Sequence, residues 1–202
     1  SKNNVLLFTV FNSLFFIGTC WFINSTCFFL SPVALMVILG YSLTKRFTAI
    51  CHLILGLGLS LAPVGAYLAV TGAFALPPIL LGIAVLLWVS GFDIIYALQD
   101  RAFDLKMNLK SIPVLLGMKG ALTLSRILHL FCFITLLFFG YLIDTAPIFW
   151  IGVSLFGGFL IYQQSVVKPE DLSKINLAFF TANGIASVVF GVITILSILF
   201  RN

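Results

Sequence analysis

The sequence predicts an all-α fold, a polytopic transmembrane helical bundle, on three observations. Of 202 residues, 61% are hydrophobic and only 8% charged, with a mean hydropathy of +1.20. A soluble domain carries roughly 25% charged residues and at this size buries only about 70% of its unfolded surface, so it has no interior large enough for this much apolar area. The apolar residues fall into seven runs of about the length, ~20 residues, that a helix needs to cross a bilayer. The basic residues, finally, segregate to one side of those runs. Residues 1–202 are expected to form a single membrane-embedded domain.

The seven runs cover about 5–23, 28–43, 49–70, 79–98, 120–142, 148–164 and 177–200. The first opens after the polar SKNN and stops at NSTC; the second, the shortest, stops at TKRFT. The third ends at TGAFALPP, whose prolines suit the start of the fourth. A long polar segment from Gln99 to Lys119 precedes the fifth, IDTAP the sixth, and SVVKPEDLSKIN the seventh. Backbone groups cannot stay unpaired in hydrocarbon, so the runs are expected to be helices. The alternation of ~10-residue barrel strands is missing.

Placing each Lys and Arg on alternating sides puts Lys2, Lys45, Arg46, Arg101, Lys106, Lys110, Lys119, Arg126, Lys168 and Lys174 on or near one face, with only Arg201 opposite. That asymmetry predicts that the start of the chain and the loops at 44–48, 99–119 and 165–176 are cytoplasmic and the carboxy terminus outside, and the membrane is expected to be the inner (plasma) membrane. It also supports the span count, since one helix more or fewer would scatter these charges. The net charge of +5 therefore reads as topology, and no nucleic-acid partner is expected. Cys20, Cys27, Cys51 and Cys132 form no CxxC pair and read as small apolar residues.

Six acids are present, and three, Asp93, Asp100 and Asp104, lie within twelve residues. At about 100° per residue, steps of seven and eleven return to nearly the same direction, so one continuous helix would carry all three on one face. Asp93 would then lie roughly 10 Å deeper than Asp100, with Asp104 about 6 Å beyond. A carboxylate at membrane depth costs about 2.5–3.5 kcal/mol and marks a functional site. Oxygen-only ligands with no adjacent His or Cys suit a hard cation such as Mg²⁺, which usually takes one or two carboxylates plus substrate phosphates. Lys45, Arg46, Arg101, Lys106 and Lys110 supply positive charge for a phosphorylated ligand.

The segment GFDIIYALQDRAFDLKMNLKSIPVLLG, residues 91–117, resembles the second aspartate-rich motif of the UbiA-type intramembrane polyprenyltransferases, DxxYAxxDxxxD followed by a Ser-Ile/Leu-Pro…Gly stretch. Asp93, Tyr96, Ala97, Asp100 and Asp104 match it. Tyr41 with Lys45 and Arg46 is similar to the family's Tyr-xxx-basic loop, and Tyr162-Gln163-Gln164 closes a late span in the same way. The wider stretch is most similar to the quinone-pathway branch, which includes 4-hydroxybenzoate polyprenyltransferase and the prenyltransferase of the futalosine route to menaquinone.

The resemblance implies transfer of a polyprenyl group from polyprenyl diphosphate to an aromatic acid such as 4-hydroxybenzoate or a dihydroxynaphthoate. It implies Mg²⁺ as cofactor and membrane lipid as surroundings. It assigns Asp93, Asp100 and Asp104 to catalysis and metal binding, and Tyr41, Lys45, Arg46, Tyr96 and Lys110 to substrate. It also implies nine helices and a first motif, NDxxDxxxD, whereas no acid precedes Asp93 here. The chain is thus expected to correspond to helices three to nine and to be N-terminally incomplete. An inactive or partner-dependent remnant, or a transporter with intramembrane acids, are the rival readings. His52 and His129 read as packed histidines, Gly56 and Ser60 as a small-xxx-small helix contact, and Asp144, Glu170 and Asp171 as loop charges.

Overall fold

A computed structural model describes residues 1–200; Arg201, the lone basic residue expected on the far side, lies outside them. The chain forms α1 (Lys2–Ile23), α2 (Ser25–Thr44), α3 (Cys51–Thr71), α4 (Leu76–Tyr96), the short α5 (Arg101–Lys106), α6 (Ile112–Leu142), α7 (Pro147–Val166), a π-helical turn (Leu177–Ala182) and α8 (Asn183–Leu199). Seven of these helical segments are long and apolar enough to cross a membrane. The expected span count and helical class therefore hold.

Local chemistry sets the boundaries. Asn24 closes α1 and caps α2: its side chain accepts from the Cys27 N–H at 2.8 Å and donates to the Leu68 carbonyl at 2.8 Å, tying this turn to the far end of α3. Gly72 ends α3 in a left-handed conformation, φ 69°, where a side chain would be strained. Prolines in the first turns of α4, α6 and α7 use positions whose N–H would have no helical partner.

Two boundaries differ from expectation. The fifth element starts at Ile112 rather than 120, as a short helix that ends in a kink at Gly117 (φ 69°, ψ 179°), and the long helix of that span follows the kink, close to the expected start. The fourth stops at Tyr96, with a tight turn over 97–100 before α5. Asp93, Asp100 and Asp104 consequently do not share one helical face. Lipid-depth periodicity ends where the chain turns into the interface, and the 100° step is lost with it.

Packing follows chain order, α1 on α2, α2 on α3, α3 on α4, α4 on α6, α6 on α7 and α7 on α8, while the π-helical turn returns to α4. The apolar core is densest in the second half. Ala84, Cys132, Leu136, Phe149, Val153, Phe156 and Ala186 join α4, α6, α7 and α8. A second cluster, including Ile94, Ile95, Leu98, Ile112, Leu122 and Val167, lies towards the basic loops. In contrast, α1 and α2 expose most of their large apolar side chains, as expected of surfaces whose solvent is hydrocarbon rather than water.

Candidate functional site

The site begins with how closely two helices approach. A Cβ on Gly56 would stand 2.6 Å from the Leu86 carbonyl oxygen and would collide with Ser90 Oγ. Only the small residue on α3 allows α4 this near, so Gly56 makes the close helix contact expected of it. One turn before Gly56, His52 is buried at the start of α3. One turn beyond Ser90's neighbourhood, Asp93 approaches the end of α4. The Ser90 hydroxyl donates within its own helix to Leu86 at 2.7 Å and reaches the His52 carbonyl at 3.2 Å, locking the two helices in register.

His52 Nδ1 lies 2.6 Å from Asp93 Oδ2. Its Nε2 accepts the Ile112 backbone N–H at 3.4 Å, which assigns the ring proton to Nδ1 and makes it the donor to Asp93. The imidazole thus holds one carboxylate oxygen of Asp93 through the first residue of α6. Asp93 Oδ1 has no partner among the described residues, and its side chain remains 21% exposed. Sequence reasoning read His52 as a packed histidine and missed its partner. The available signal was a His opening one span and an Asp closing the next, which antiparallel packing brings to the same depth.

The polar loops meet beside this pair. The Lys110 N–H donates to the Lys45 carbonyl at 2.7 Å, and Cys51 Sγ contacts the Lys110 carbonyl at 3.7 Å. Lys45 Nζ stands 2.8 Å from Asp104 Oδ1, whose side chain is fully buried. Neither oxygen of Asp104 makes a hydrogen bond of good geometry, so the Lys45 contact is an ion pair by proximity and the only compensation of that charge among the described residues. Arg101 Nε donates to the Pro113 carbonyl at 3.0 Å, closing α5 on α6.

The structure therefore brings Lys45 to Asp104 and His52 to Asp93. Asp100, Arg46 and Lys110 are exposed, with no side-chain partner among the described residues. Tyr41 is likewise exposed on α2. Tyr96 stacks on Phe179, ring centroids 4.1 Å apart, and Phe92 and Trp88 extend this wall along the same face of α4 at spacings of four residues. The π-helical turn supplies Phe179 and Phe180; such bulges are frequent at functional sites. No cluster of three or more His, Cys, Asp or Glu converges on a point among the described residues.

Deeper, a polar chain joins four helices. Gln164 Nε2 donates to Ser125 Oγ at 2.8 Å and to His129 Nδ1 at 3.0 Å. The Ser125 hydroxyl donates a hydrogen bond to the Gly91 carbonyl at 2.7 Å, and His129 Nε2 donates to the Trp88 carbonyl at 3.3 Å. Trp88 Nε1 and Gln163 Nε2 both reach Asn183 Oδ1 at 3.2 Å. His129 is thus the hydrogen-bonded structural histidine it was expected to be. Trp88, Ser125 and Asn183 were not singled out from sequence. A polar atom inside an apolar run was their signal, because it must find a partner in hydrocarbon.

These features define a polytopic helical membrane protein with acidic and basic side chains gathered at one end of its bundle. Residues 1–185 match the profile of the UbiA prenyltransferase family, and the chain belongs to that family. It is 31% identical over 192 residues to a 4-hydroxybenzoate octaprenyltransferase of Shewanella pealeana, the match covering 94% of this chain and 65% of that protein. A protein of the same name from Shewanella sediminis is 32% identical over 184 residues, 90% of this chain and 63% of the relative. The chain thus spans just under two thirds of the length of these curated relatives. The apo structure of a UbiA homolog from Aeropyrum pernix superposes with a TM-score of 0.87 at 28% identity, covering 98% of this chain and 74% of that one.

Proposed function

We propose that the chain carries the diphosphate-binding half of an aromatic polyprenyltransferase, acting on a polyprenyl diphosphate and an acceptor such as 4-hydroxybenzoate or a dihydroxynaphthoate, in ubiquinone or menaquinone biosynthesis. One observation carries the reading: in a member of this family, Asp93 and Asp100 stand with uncommitted carboxylate oxygens at the same end of the bundle as the cations Lys45, Arg46 and Lys110. The names of the Shewanella relatives support the reaction class. The site would face the cytoplasm across an inner membrane, on the side rich in basic loops.

The donor set fits Mg²⁺. Asp93 Oδ1 has no partner among the described residues, the carboxylate of Asp100 is exposed, and both are the hard oxygen donors the ion prefers, with substrate phosphates filling further positions. Asp93 and Asp100 would hold it. Bound there, the ion would supply charge neutralisation that makes diphosphate a better leaving group. Asp104, buried against Lys45, is assigned a different role from a direct ligand: it fixes where the Lys45 ammonium stands.

The chain's own groups then do the following. Lys45, Arg46 and Lys110 bind the diphosphate oxygens and stabilise the negative charge that grows on them as the allylic C–O bond breaks and its electron pair leaves with diphosphate. Tyr96, Phe92, Trp88 and Phe179 give the polyprenyl chain an apolar wall, and Tyr96 lies where that chain meets its diphosphate. Their π faces favour the allylic cation. A ring carbon of the acceptor bonds to that cation and then loses its proton to the departed diphosphate, restoring aromaticity. Tyr41 and Arg46 are available for the acceptor's carboxylate.

The test is prenyl transfer from radiolabelled polyprenyl diphosphate to 4-hydroxybenzoate in membranes containing the chain, with and without a chelator. Transfer that is lost on chelation and in Asp93→Ala is the expected result; transfer indifferent to both refutes the assignment.

A further inference from the structure

One groove of the bundle has no acid in its lining. Between α6 and α7 lies a cavity of about 830 Å³ lined by these two helices alone. Arg126, Gln164 and Ser165 stand at one end, and Phe133 and Ser154 at the other. From Arg126 to Phe133 is two turns of α6, about 10 Å, and from Ser165 to Ser154 about 16 Å of α7. The groove therefore runs from near the basic end of the bundle into the hydrocarbon.

Its polar equipment is unbalanced. Arg126 has no ion-pair or hydrogen-bond partner among the described residues, and no carboxylate lines the groove. Lys119, seven residues earlier, lies on the same helical face within about 20° and is also exposed and unpaired among the described residues. Two cations thus lead into an apolar trough, a charge arrangement that calls for an anion with a hydrocarbon tail. Guanidinium matches a phosphate with two parallel donors, and a cation near the membrane face is stabilised by anionic headgroups by about 1 kcal/mol. The floor has room: a Cβ on Gly158 would touch nothing, while Gly157 is packed tightly against Phe133. Gln164 is held by Ser125 and His129 and cannot swing into the trough.

We propose that this groove binds an anionic phospholipid of the adjoining leaflet, its phosphate on Arg126 and Lys119 and one acyl chain along Gly158, Leu130 and Phe133. The experiment uses the full chain purified in detergent, with native mass spectrometry after adding equimolar dioleoyl-phosphatidylglycerol and dioleoyl-phosphatidylcholine. One retained phosphatidylglycerol in about thirtyfold preference over phosphatidylcholine is expected, the fold-change that corresponds to about 1 kcal/mol from each of the two cations. Arg126→Gln, which leaves Lys119 in place, should lower the preference to about fivefold. Gly158→Phe, filling open space, should lower retention of both lipids while circular dichroism and thermal stability stay unchanged, so the result does not hinge on how Arg126→Gln folds. A preference unchanged in Arg126→Gln, retention unchanged in Gly158→Phe, or displacement of the lipid by geranyl diphosphate would each overturn the proposal.

Discussion

Lys45→Met should destabilise the chain far beyond an ordinary surface substitution. Asp104 is completely buried and its single compensating charge among the described residues is the Lys45 ammonium at 2.8 Å. Removing one partner of a fully buried pair costs about 3–5 kcal/mol because the other charge is left without compensation. The Lys45 side chain is 30% exposed, so water screens part of the interaction and the expected loss falls to about 2 kcal/mol. Replacing both charges, Lys45→Met with Asp104→Leu, removes the stranded carboxylate and should recover most of that loss. The coupling in this double-mutant cycle is then about 1–2 kcal/mol. The assay is reversible unfolding of the purified full chain in mixed micelles, followed by helical circular dichroism, and it needs no substrate. A Lys45→Met variant within 0.5 kcal/mol of wild type, or two additive single substitutions, would show that Asp104 does not depend on Lys45 and remove its role in placing the cation.

His52→Leu deprives Asp93 of its donor and should lower prenyl transfer by roughly 10–100-fold, the range for partners that orient a ligand, whereas His52→Gln, which can still donate, should retain more; equal losses in both variants would contradict a positioning role. Gly91→Ala drives a Cβ into the His129 ring, and overpacking of this kind costs about 1–3 kcal/mol, to be read in the same micelle unfolding assay. At the Lys168–Asp171 turn, hydrogen bonds from Ser173 hold the Asp171 carboxyl below its usual value. A depressed folded-state value means that this contribution is present above the ordinary carboxylate range and is lost as pH falls through the folded one. The protection of the Ser173 amide, its exchange relative to the intrinsic rate at the same pH, should therefore fall selectively on acidification, and in Asp171→Ala, which has no acceptor, it should be low at every pH.

Much of the fold was legible because hydrocarbon imposes one rule on every residue it touches. Seven apolar runs had to be helices, and the lopsided Lys and Arg fixed their number. The chemistry of the site was also legible, since an Asp such as Asp93 within an apolar run is rare enough to stand out. What periodicity misjudged was the stretch after Tyr96. A helical wheel assumes that the helix continues, but Ala97–Asp100 turn and α5 sets off on its own, so Asp104 points at Lys45 and not along the direction of Asp93. The Gly117 break hid the first turns of α6 in the same way.

The sequence alone determined that this chain lives in a bilayer, which residue types crowd its basic end, and which family's motif they spell. Tertiary structure alone decided which charge meets which. Lys45 and Asp104 are separated by two spans, and His52 and Asp93 by almost all of α3 and α4. Their pairing depends on Gly56 letting two helices touch and on the Lys110 N–H pinning one loop to another. Such long-range contacts are set by how close packed backbones approach, and a one-dimensional pattern of hydropathy holds no measure of that distance.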